Sequence, residues 1–262
     1  MNNIRELFLK KGKNVLSIYF TAGFPHLDDT EEILTSLQAH GADMIEIGMP
    51  YSDPLADGPV IQNSSMKALE NGMTIKILFD QLNHFYENAA SGARQIPLIL
   101  MGYLNPVLQY GFEKFCRDAK SAGVSGIILP DLPFAEYEKE YKQILKENDL
   151  SFIFLITPET SEERIRKIDS ISTGFIYAVS SSSITGTYTN MSAQEKYFKR
   201  LQDMNMKNKI LIGFGIRDRS TFAQACQYAA GAIIGTAYIK TIENTGDIDE
   251  STKTFLNSIL GN

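Results

Sequence analysis

Short apolar runs alternate with longer amphipathic segments along most of the chain. The runs are rich in Ile, Leu and Val and mostly do not alternate with polar residues, which is typical of strands buried on both faces. We predict eight strands, at Leu16–Phe20, Met44–Gly48, Pro97–Tyr103, Gly126–Pro130, Phe152–Thr157, Phe175–Ser180, Lys209–Gly213 and Ala232–Thr236. Strands that alternate with helices in this way indicate a parallel α/β architecture.

Two of the intervening segments have a clear helical period. In 111–123 and 219–230, apolar residues recur at i, i+3, i+4 and i+7, and Gly123 is a plausible C-terminal cap. Cys116 and Cys226 occupy the same position on the apolar faces of these two helices. We expect both thiols to be core residues, because apolar burial raises the pKa of a thiol and makes it unreactive.

Other helix starts and one extra helix are also indicated. Two residue pairs, Thr160 with Glu163 and Ser192 with Glu195, have the spacing of a capping box. Each pair predicts the start of a helix. The second strand–helix unit is longer than the others and leaves room for an additional helix at about Gln62–Glu70.

The number and spacing of the units favour a closed barrel. Strand starts are mostly 22 to 35 residues apart, and eight such units in 262 residues match a (β/α)8, or TIM, barrel. A doubly wound open sheet is the alternative, but it usually has GxGxxG after its first strand, where this chain reads TAGFP at 21–25. Since we find no linker, we expect residues 1–262 to form a single α/β domain with extra helices.

Composition and charge exclude several classes of protein. The chain has 25 Lys and Arg against 31 Asp and Glu, without long runs of like charge, so nucleic-acid binding is not expected. It has no 18-residue apolar run and no signal-peptide pattern, so a membrane location is not expected. Two cysteines and three scattered histidines predict neither a disulfide framework nor a zinc site, which fits a reducing cytoplasm.

A carboxylate interrupts the second apolar run. Glu46 lies between Ile45 and Ile47, near the carboxyl end of the strand, where the active site of a barrel forms. It could be a structural residue paired with a neighbouring cation or backbone group. It could also be a partly desolvated carboxylate suited to proton transfer near neutral pH, and we favour this function.

The loop that follows, 49–59, contains three prolines and two aspartates. Turn chemistry by itself favours Asp before Pro or Gly, and for Asp53 we prefer that explanation. For Asp57 we favour a function, because a stiff loop directly after the strand of Glu46 can bring a second carboxylate to the same pocket.

Glycines follow the last two strands, and a hydroxyl-rich segment follows the sixth. Gly213 and Gly215, where strand seven ends, and Gly235, where strand eight ends, would let backbone N–H groups approach an anion beside a helix N-terminus. Tight turns also use glycine, so that alternative stays open. The segment 180–191 is long and rich in Ser and Thr, which suggests a lid that closes on substrate or a simple surface loop.

At this point the sequence resembles a known family. The segment 46–62, EIGMPYSDPLADGPVIQ, is similar to the signature of the tryptophan synthase alpha chain family. Further agreement comes from Asp131, Ile184-Thr185-Gly186, Gly213-Phe214-Gly215-Ile216 and Gly235-Thr236. The resemblance covers about residues 16 to 242 and implies retro-aldol cleavage of indole-3-glycerol phosphate to indole and glyceraldehyde 3-phosphate.

The resemblance also implies a role for each matching residue. Glu46 stands at the position of the acid–base glutamate, and Asp57 at that of the aspartate that accepts the indole N–H. The phosphate-cradling positions are Gly186, Gly215, Gly235 and Thr236. The positions that line the indole and glycerol pocket are Tyr19, Met101, Tyr103, Tyr177 and Phe214. Thr185 matches the lid threonine that engages the aspartate on closure. The chain departs from the pattern at four positions. Tyr19 and Met101 stand where other members have Phe and Leu, Ser181 where some members have Arg, and Thr236 where other members have Ser.

Partners and cofactors follow from the same resemblance. It implies docking onto a beta chain that carries pyridoxal phosphate, in an α2β2 heterotetramer, with no cofactor in this chain. The apolar docking candidates are Tyr51, Pro54, Leu55 and the segment 104–107. Three alternatives remain: a metal-dependent enzyme with Glu46, Asp53 and Asp57 as oxygen ligands, a non-catalytic docking subunit, and a sister barrel such as indole-3-glycerol phosphate synthase.

Overall fold

The computed structural model describes residues 3–88, 96–179, 191–213 and 215–261, with the backbone alone for 191–193. Its strands are β1 Val15–Thr21, β2 Met44–Gly48, β3 Leu98–Met101, β4 Val124–Ile128, β5 Ser151–Phe152, β6 Phe154–Ile156, β7 Phe175–Val179, β8 Lys209–Gly213 and β9 Gly231–Ile234. Its helices are α1 Asn3–Lys10, α2 Thr30–Ala39, α3 Pro59–Glu70, α4 Ile75–Asn88, α5 Leu104–Tyr110, α6 Phe112–Ser121, α7 Phe134–Glu136, α8 Lys142–Glu147, α9 Glu162–Ile171, α10 Met191–Asp203, α11 Arg219–Tyr228, α12 Thr236–Ile242 and α13 Ile248–Leu260. A short 3-10 turn, Leu27–Asp29, precedes α2, and a π-helical turn, Tyr137–Tyr141, joins α7 to α8.

All strands pair in parallel in one sheet, in the order β5-β4-β3-β2-β1-β9-β8-β7-β6. The strands at its two edges, β5 and β6, are separated in sequence by Ile153 alone, and they pair with β4 and β7 respectively. The Ile153 N–H also donates to the Ile127 carbonyl at 3.0 Å. The single strand predicted at 152–157 is therefore two short strands, because the chain changes pairing partner there, and this change joins the edges into the predicted barrel.

Two predicted helix starts are wrong by a residue or more. Ser161, not Thr160, caps α9, since its side chain accepts a hydrogen bond from the Arg164 N–H at 3.3 Å. The Thr160 hydroxyl instead accepts from the N–H of Thr157 at 2.9 Å, which closes the preceding turn. Ser192 is not an N-cap either, because α10 already includes Met191.

The extra helix and the two cysteine-bearing helices are confirmed. The extra helix, α3, begins with a proline at its first position, where the missing N–H is not needed. Gly123 follows α6 with φ of +78°, a conformation that favours glycine. Cys116 is buried, but Cys226 is only half-buried. Burial raises the pKa of these thiols to about 12 and about 11, which agrees with a structural role for both.

Helix α1 closes the end of the barrel at which the strands begin. Ile4 and Leu7 are buried, and a Cβ built on Gly126 of β4 would lie 3.1 Å from Cδ1 of Ile4. The active site of a barrel forms at the other end, where the strands finish. Across the described ranges, no helix is both long and apolar enough to span a membrane.

Candidate active site

The first strand places a row of polar side chains inside the barrel. Successive residues of a strand point to opposite faces, so Ser17, Tyr19 and Thr21 share one face of β1. Tyr19 lies beside Glu46 in the register of β1 and β2, and Thr21 lies beside Gly48. Ser17 was not among the predicted site residues. Its signal is the alternation of hydroxyl-bearing residues within a strand that otherwise reads as apolar.

Glu46 is fully buried and carries an unsatisfied oxygen. Its Oε1 accepts a hydrogen bond from the Ser17 hydroxyl at 3.0 Å. Its Oε2 is buried and has no hydrogen-bond partner among the described residues, and none of their cations pairs with it. Burial raises the pKa of Glu46 to about 8, and the Ser17 hydrogen bond only partly opposes this. Within the described ranges, Glu46 is therefore not paired with a cation, and its one hydrogen bond comes from Ser17. Its carboxyl group is desolvated enough to hold a proton near neutral pH.

Asp57 is the second buried carboxylate. Only 6% of it is exposed, and its Oδ2 accepts a hydrogen bond from the Tyr103 hydroxyl at 2.8 Å. Burial raises the pKa of Asp57 to about 6, and the hydrogen bond from Tyr103 lowers it. At neutral pH, Asp57 is therefore mostly ionised while Glu46 is mostly protonated.

The backbone around Asp57 is held at several points. The Asp57 N–H donates to the Pro54 carbonyl at 3.0 Å, and the Asp57 carbonyl accepts from Nε2 of Gln62 at 2.9 Å. Gln62 belongs to α3, and its neighbour Ser64 bonds the Thr21 hydroxyl of β1 at 2.7 Å. In the sequence, Gln62 stands out only as part of the signature segment 46–62, and its supporting role is visible only once the loop is folded.

Asp53, by contrast, has the turn role preferred from the sequence. It is exposed, its carboxylate accepts from the Ser52 hydroxyl at 2.7 Å, and its carbonyl accepts from the Leu55 N–H at 2.9 Å. Among the residues that the structure describes, no three His, Cys, Asp or Glu side chains converge as a metal site would require. The alternative in which Glu46, Asp53 and Asp57 share a metal therefore lacks its ligand set.

Two tyrosines fill the space beside the carboxylates, and two glycines make room for them. A Cβ built on Gly48 would lie 2.1 Å from the Tyr19 hydroxyl oxygen, and one on Gly213 would lie 2.1 Å from that of Tyr177. Burial raises the pKa of both phenols well above its usual range, and the charges of Glu46 and Asp57 raise it further for each. Both carboxylates are thus close to both tyrosines, and Gly213 serves this packing.

The remaining predicted residues lie at the same end of the barrel, where they are described. Met101 ends β3, is nearly buried and pairs in register with Gly48. Gly215 follows β8 with φ of +79°, and Gly235 and Thr236 lie at the start of α12. Because β8 and β9 are neighbours, these two turns are adjacent. Thr185, Gly186, Phe214 and all of the predicted lid 180–191 except its last residue lie outside the described residues.

Comparisons with known proteins point to one family. The sequence profile of the tryptophan synthase alpha chain family matches residues 6–259. The alpha chain of Phocaeicola vulgatus is 51% identical over 261 residues, which is 99% of each chain. That of Flavobacterium psychrophilum is 53% identical over 247 residues, or 94% of this chain and 95% of the relative.

Solved structures show the same similarity. The tryptophan synthase alpha chain from Legionella pneumophila has a TM-score of 0.87 at 32% identity, covering 99% of this chain and 96% of that one. A chain of the aminoacrylate-bound form of tryptophan synthase from M. tuberculosis has a TM-score of 0.84 at 28% identity, covering 99% and 98%.

Proposed function

The chain belongs to the tryptophan synthase alpha chain family, whose members are carbon–carbon lyases, and we propose that Glu46 and Asp57 carry out the family's reaction. In this reaction, indole-3-glycerol phosphate is cleaved to indole and glyceraldehyde 3-phosphate. The observation that carries the proposal is the pair of buried carboxylates whose pKa values are about 8 and about 6. Two carboxyl groups whose pKa values differ in this way can act at the same pH, one as a proton donor and the other as an anion.

The reaction needs an electron sink on the substrate. Protonation of indole C3 converts the ring into an electrophilic indolenine cation, and protonated Glu46 supplies that proton. Ionised Asp57 accepts the ring N–H and stabilises the positive charge that develops. Glu46, now ionised, removes the proton from the glycerol hydroxyl next to the ring. The C–C bond then breaks, its electrons return to the indole, and the aldehyde leaves, so that protons balance.

The other predicted residues bind the rest of the substrate. Tyr19, Tyr103 and Tyr177 lie beside the carboxylates. We propose that they form the surface that contacts indole, together with Met101 and Phe214. The phosphate is proposed to bind at Gly186, Gly215, Gly235 and Thr236, and Thr185 to engage Asp57 as substrate binds. The adjacency of the two turns after β8 and β9 supports this location, since phosphate sites of barrels form there.

Indole is neutral and apolar, so it would diffuse away unless a second protein captured it. We propose a beta chain that holds pyridoxal phosphate as the partner, in an α2β2 heterotetramer located in the cytoplasm, with no cofactor in this chain. Leu55, with 80% of its surface exposed, and Leu108, with 46%, support the location of the docking surface beside the loop of Asp57. Pro54 and Val107 are buried in this chain, so these two predicted contacts are corrected.

Two isosteric substitutions test the roles of the carboxylates. We expect Glu46→Gln and Asp57→Asn each to reduce the release of indole from indole-3-glycerol phosphate by at least about 100-fold, the usual contribution of a proton-transfer group. Circular dichroism provides the control for folding. Exposed Asp53→Asn, on the same loop, is the matched variant and should retain wild-type turnover. Turnover within threefold of wild type in either carboxylate variant would refute its role.

A further inference from the structure

Tyr103 makes two hydrogen bonds that converge on the loop of Asp57. It precedes α5 and is nearly buried, and its hydroxyl donates to Oδ2 of Asp57 at 2.8 Å. The same oxygen accepts from the N–H of Ala56 at 2.9 Å. The Tyr51 ring lies 5.3 Å from the Tyr103 ring, with 32° between their planes, and supports it from the loop side.

The direction of both bonds follows from chemistry. An amide N–H can only donate, so the phenol oxygen must be the acceptor toward Ala56, and its single proton is left for Asp57. This bond occupies Oδ2. Among the described residues, no hydrogen bond reaches the other oxygen of Asp57, Oδ1. Within the described part of the chain, one carboxylate oxygen is therefore fixed by the protein, and the other has no protein hydrogen bond that competes with a ligand.

We propose that Tyr103 is a positioning residue: it holds Asp57 by Oδ2, presents Oδ1 to the indole N–H and keeps the carboxylate ionised. The inference rests on the proposed role of Asp57 and goes beyond pocket lining, the only role that the sequence suggests for Tyr103. A phenol is suited to this task because it donates a hydrogen bond to the carboxylate and stays neutral itself. Burial and the charge of Asp57 both raise the pKa of Tyr103.

The test removes the hydroxyl and follows Asp57 directly. In ligand-free Tyr103→Phe, carboxyl ¹³C chemical shifts should show the titration of Asp57 moved upward by about one pH unit, since a hydrogen bond to a charged group is lost. Amide exchange of Ala56 should accelerate. Turnover at pH 7 should fall roughly tenfold, mainly in kcat, because Asp57 acts on the charge that develops in the transition state.

The chain offers a matched control and a variant of opposite sign. Tyr110, at the end of α5, also donates its hydroxyl to an aspartate, Asp118, at 2.5 Å. Tyr110→Phe should leave the Asp57 titration and kcat unchanged. Site-specific replacement of Tyr103 by 3-fluorotyrosine strengthens the donor and keeps the ring, so the Asp57 titration should move downward. This variant also serves if Tyr103→Phe does not fold.

The outcomes separate this inference from the proposed function. An Asp57 titration that does not move in Tyr103→Phe overturns the positioning role, as does one that does not move in the fluorinated protein. A rise in KM with an unmoved titration would likewise make Tyr103 a substrate contact only. A moved titration with unchanged kcat would support the positioning role and count against the catalytic role of Asp57 instead.

Discussion

At the scale of single residues, the two buried carboxylates predict a bell-shaped pH profile. In the proposed mechanism Asp57 is ionised and Glu46 is protonated, so kcat/KM should fall below about pH 6 and above about pH 8. The alkaline limb is the cleaner reporter, because a phosphate monoester also titrates near pH 6. Ser17→Ala should move that limb upward, since the Ser17 hydrogen bond lowers the pKa of Glu46. An alkaline limb that is absent up to pH 10 would contradict the assignment of Glu46 as the proton donor.

The same raised pKa predicts how stability depends on pH. The pKa of Glu46 rises from 4.5 to about 8 on folding. The native state therefore binds the proton more tightly, and stability is lost as pH rises through this window. The free energy of unfolding of Glu46→Gln relative to wild type should increase by roughly 3–5 kcal/mol between pH 4.5 and pH 9.

Urea unfolding at the two pH values measures this difference. Exposed Glu70→Gln, at the end of α3, is the control and should show no comparable change relative to wild type. If the free energy of unfolding depended on pH in the same way in wild type and Glu46→Gln, Glu46 would have to be ionised in the folded protein at neutral pH.

At the scale of elements, the sequence predicts the strands better than their connections and interior. Apolar runs locate the strands because a barrel strand is buried on both faces, but the same runs hide which residues point inward. Ser17 and Tyr19 emerge as neighbours of Glu46 only from the register. Gly48 and Gly213 are glycines because a tyrosine ring occupies the space that a Cβ would need at each position. This packing depends on the folded barrel, so no local sequence pattern reveals it.

Helix α1 gives a prediction at this scale. It closes the barrel with Ile4 and Leu7, far from the proposed chemistry, so its packing should affect stability and not turnover. Ile4→Ala should lower the free energy of unfolding by about 2–4 kcal/mol, the usual effect of a buried Ile→Ala change. Leu9→Ala on the same helix is the matched control, since 70% of Leu9 is exposed, and it should change stability by less than about 0.5 kcal/mol. Equal effects of the two variants in urea unfolding would show that α1 does not seal the barrel.

At the scale of the whole molecule, the helix proposed to seal the barrel lies away from the proposed catalytic residues, whereas the proposed docking residue Leu55 lies next to them. Helix α1 lies at one end and the carboxylates at the other. The loop that holds Asp57 also exposes Leu55, two residues away. Tyr103 connects the loop around Leu55 with Asp57, because its hydroxyl forms hydrogen bonds with Ala56 and Asp57 and its ring packs against that of Tyr51. A partner that covers Leu55 would therefore contact the segment whose geometry sets the position of Asp57.

This arrangement predicts reciprocal coupling between the two binding events. Coupling free energies are symmetric, so a substrate analogue on this chain should tighten the binding of a cognate beta chain by the same factor by which the beta chain tightens the analogue. Titration calorimetry measures both factors. Leu55→Ser should weaken beta-chain binding about tenfold or more, as loss of an apolar contact at an interface core does. Leu9→Ser, on α1 and 70% exposed, should leave it unchanged. Dissociation constants that are identical with and without the analogue would refute the coupling, and equal effects of the two Leu variants would place the docking surface elsewhere.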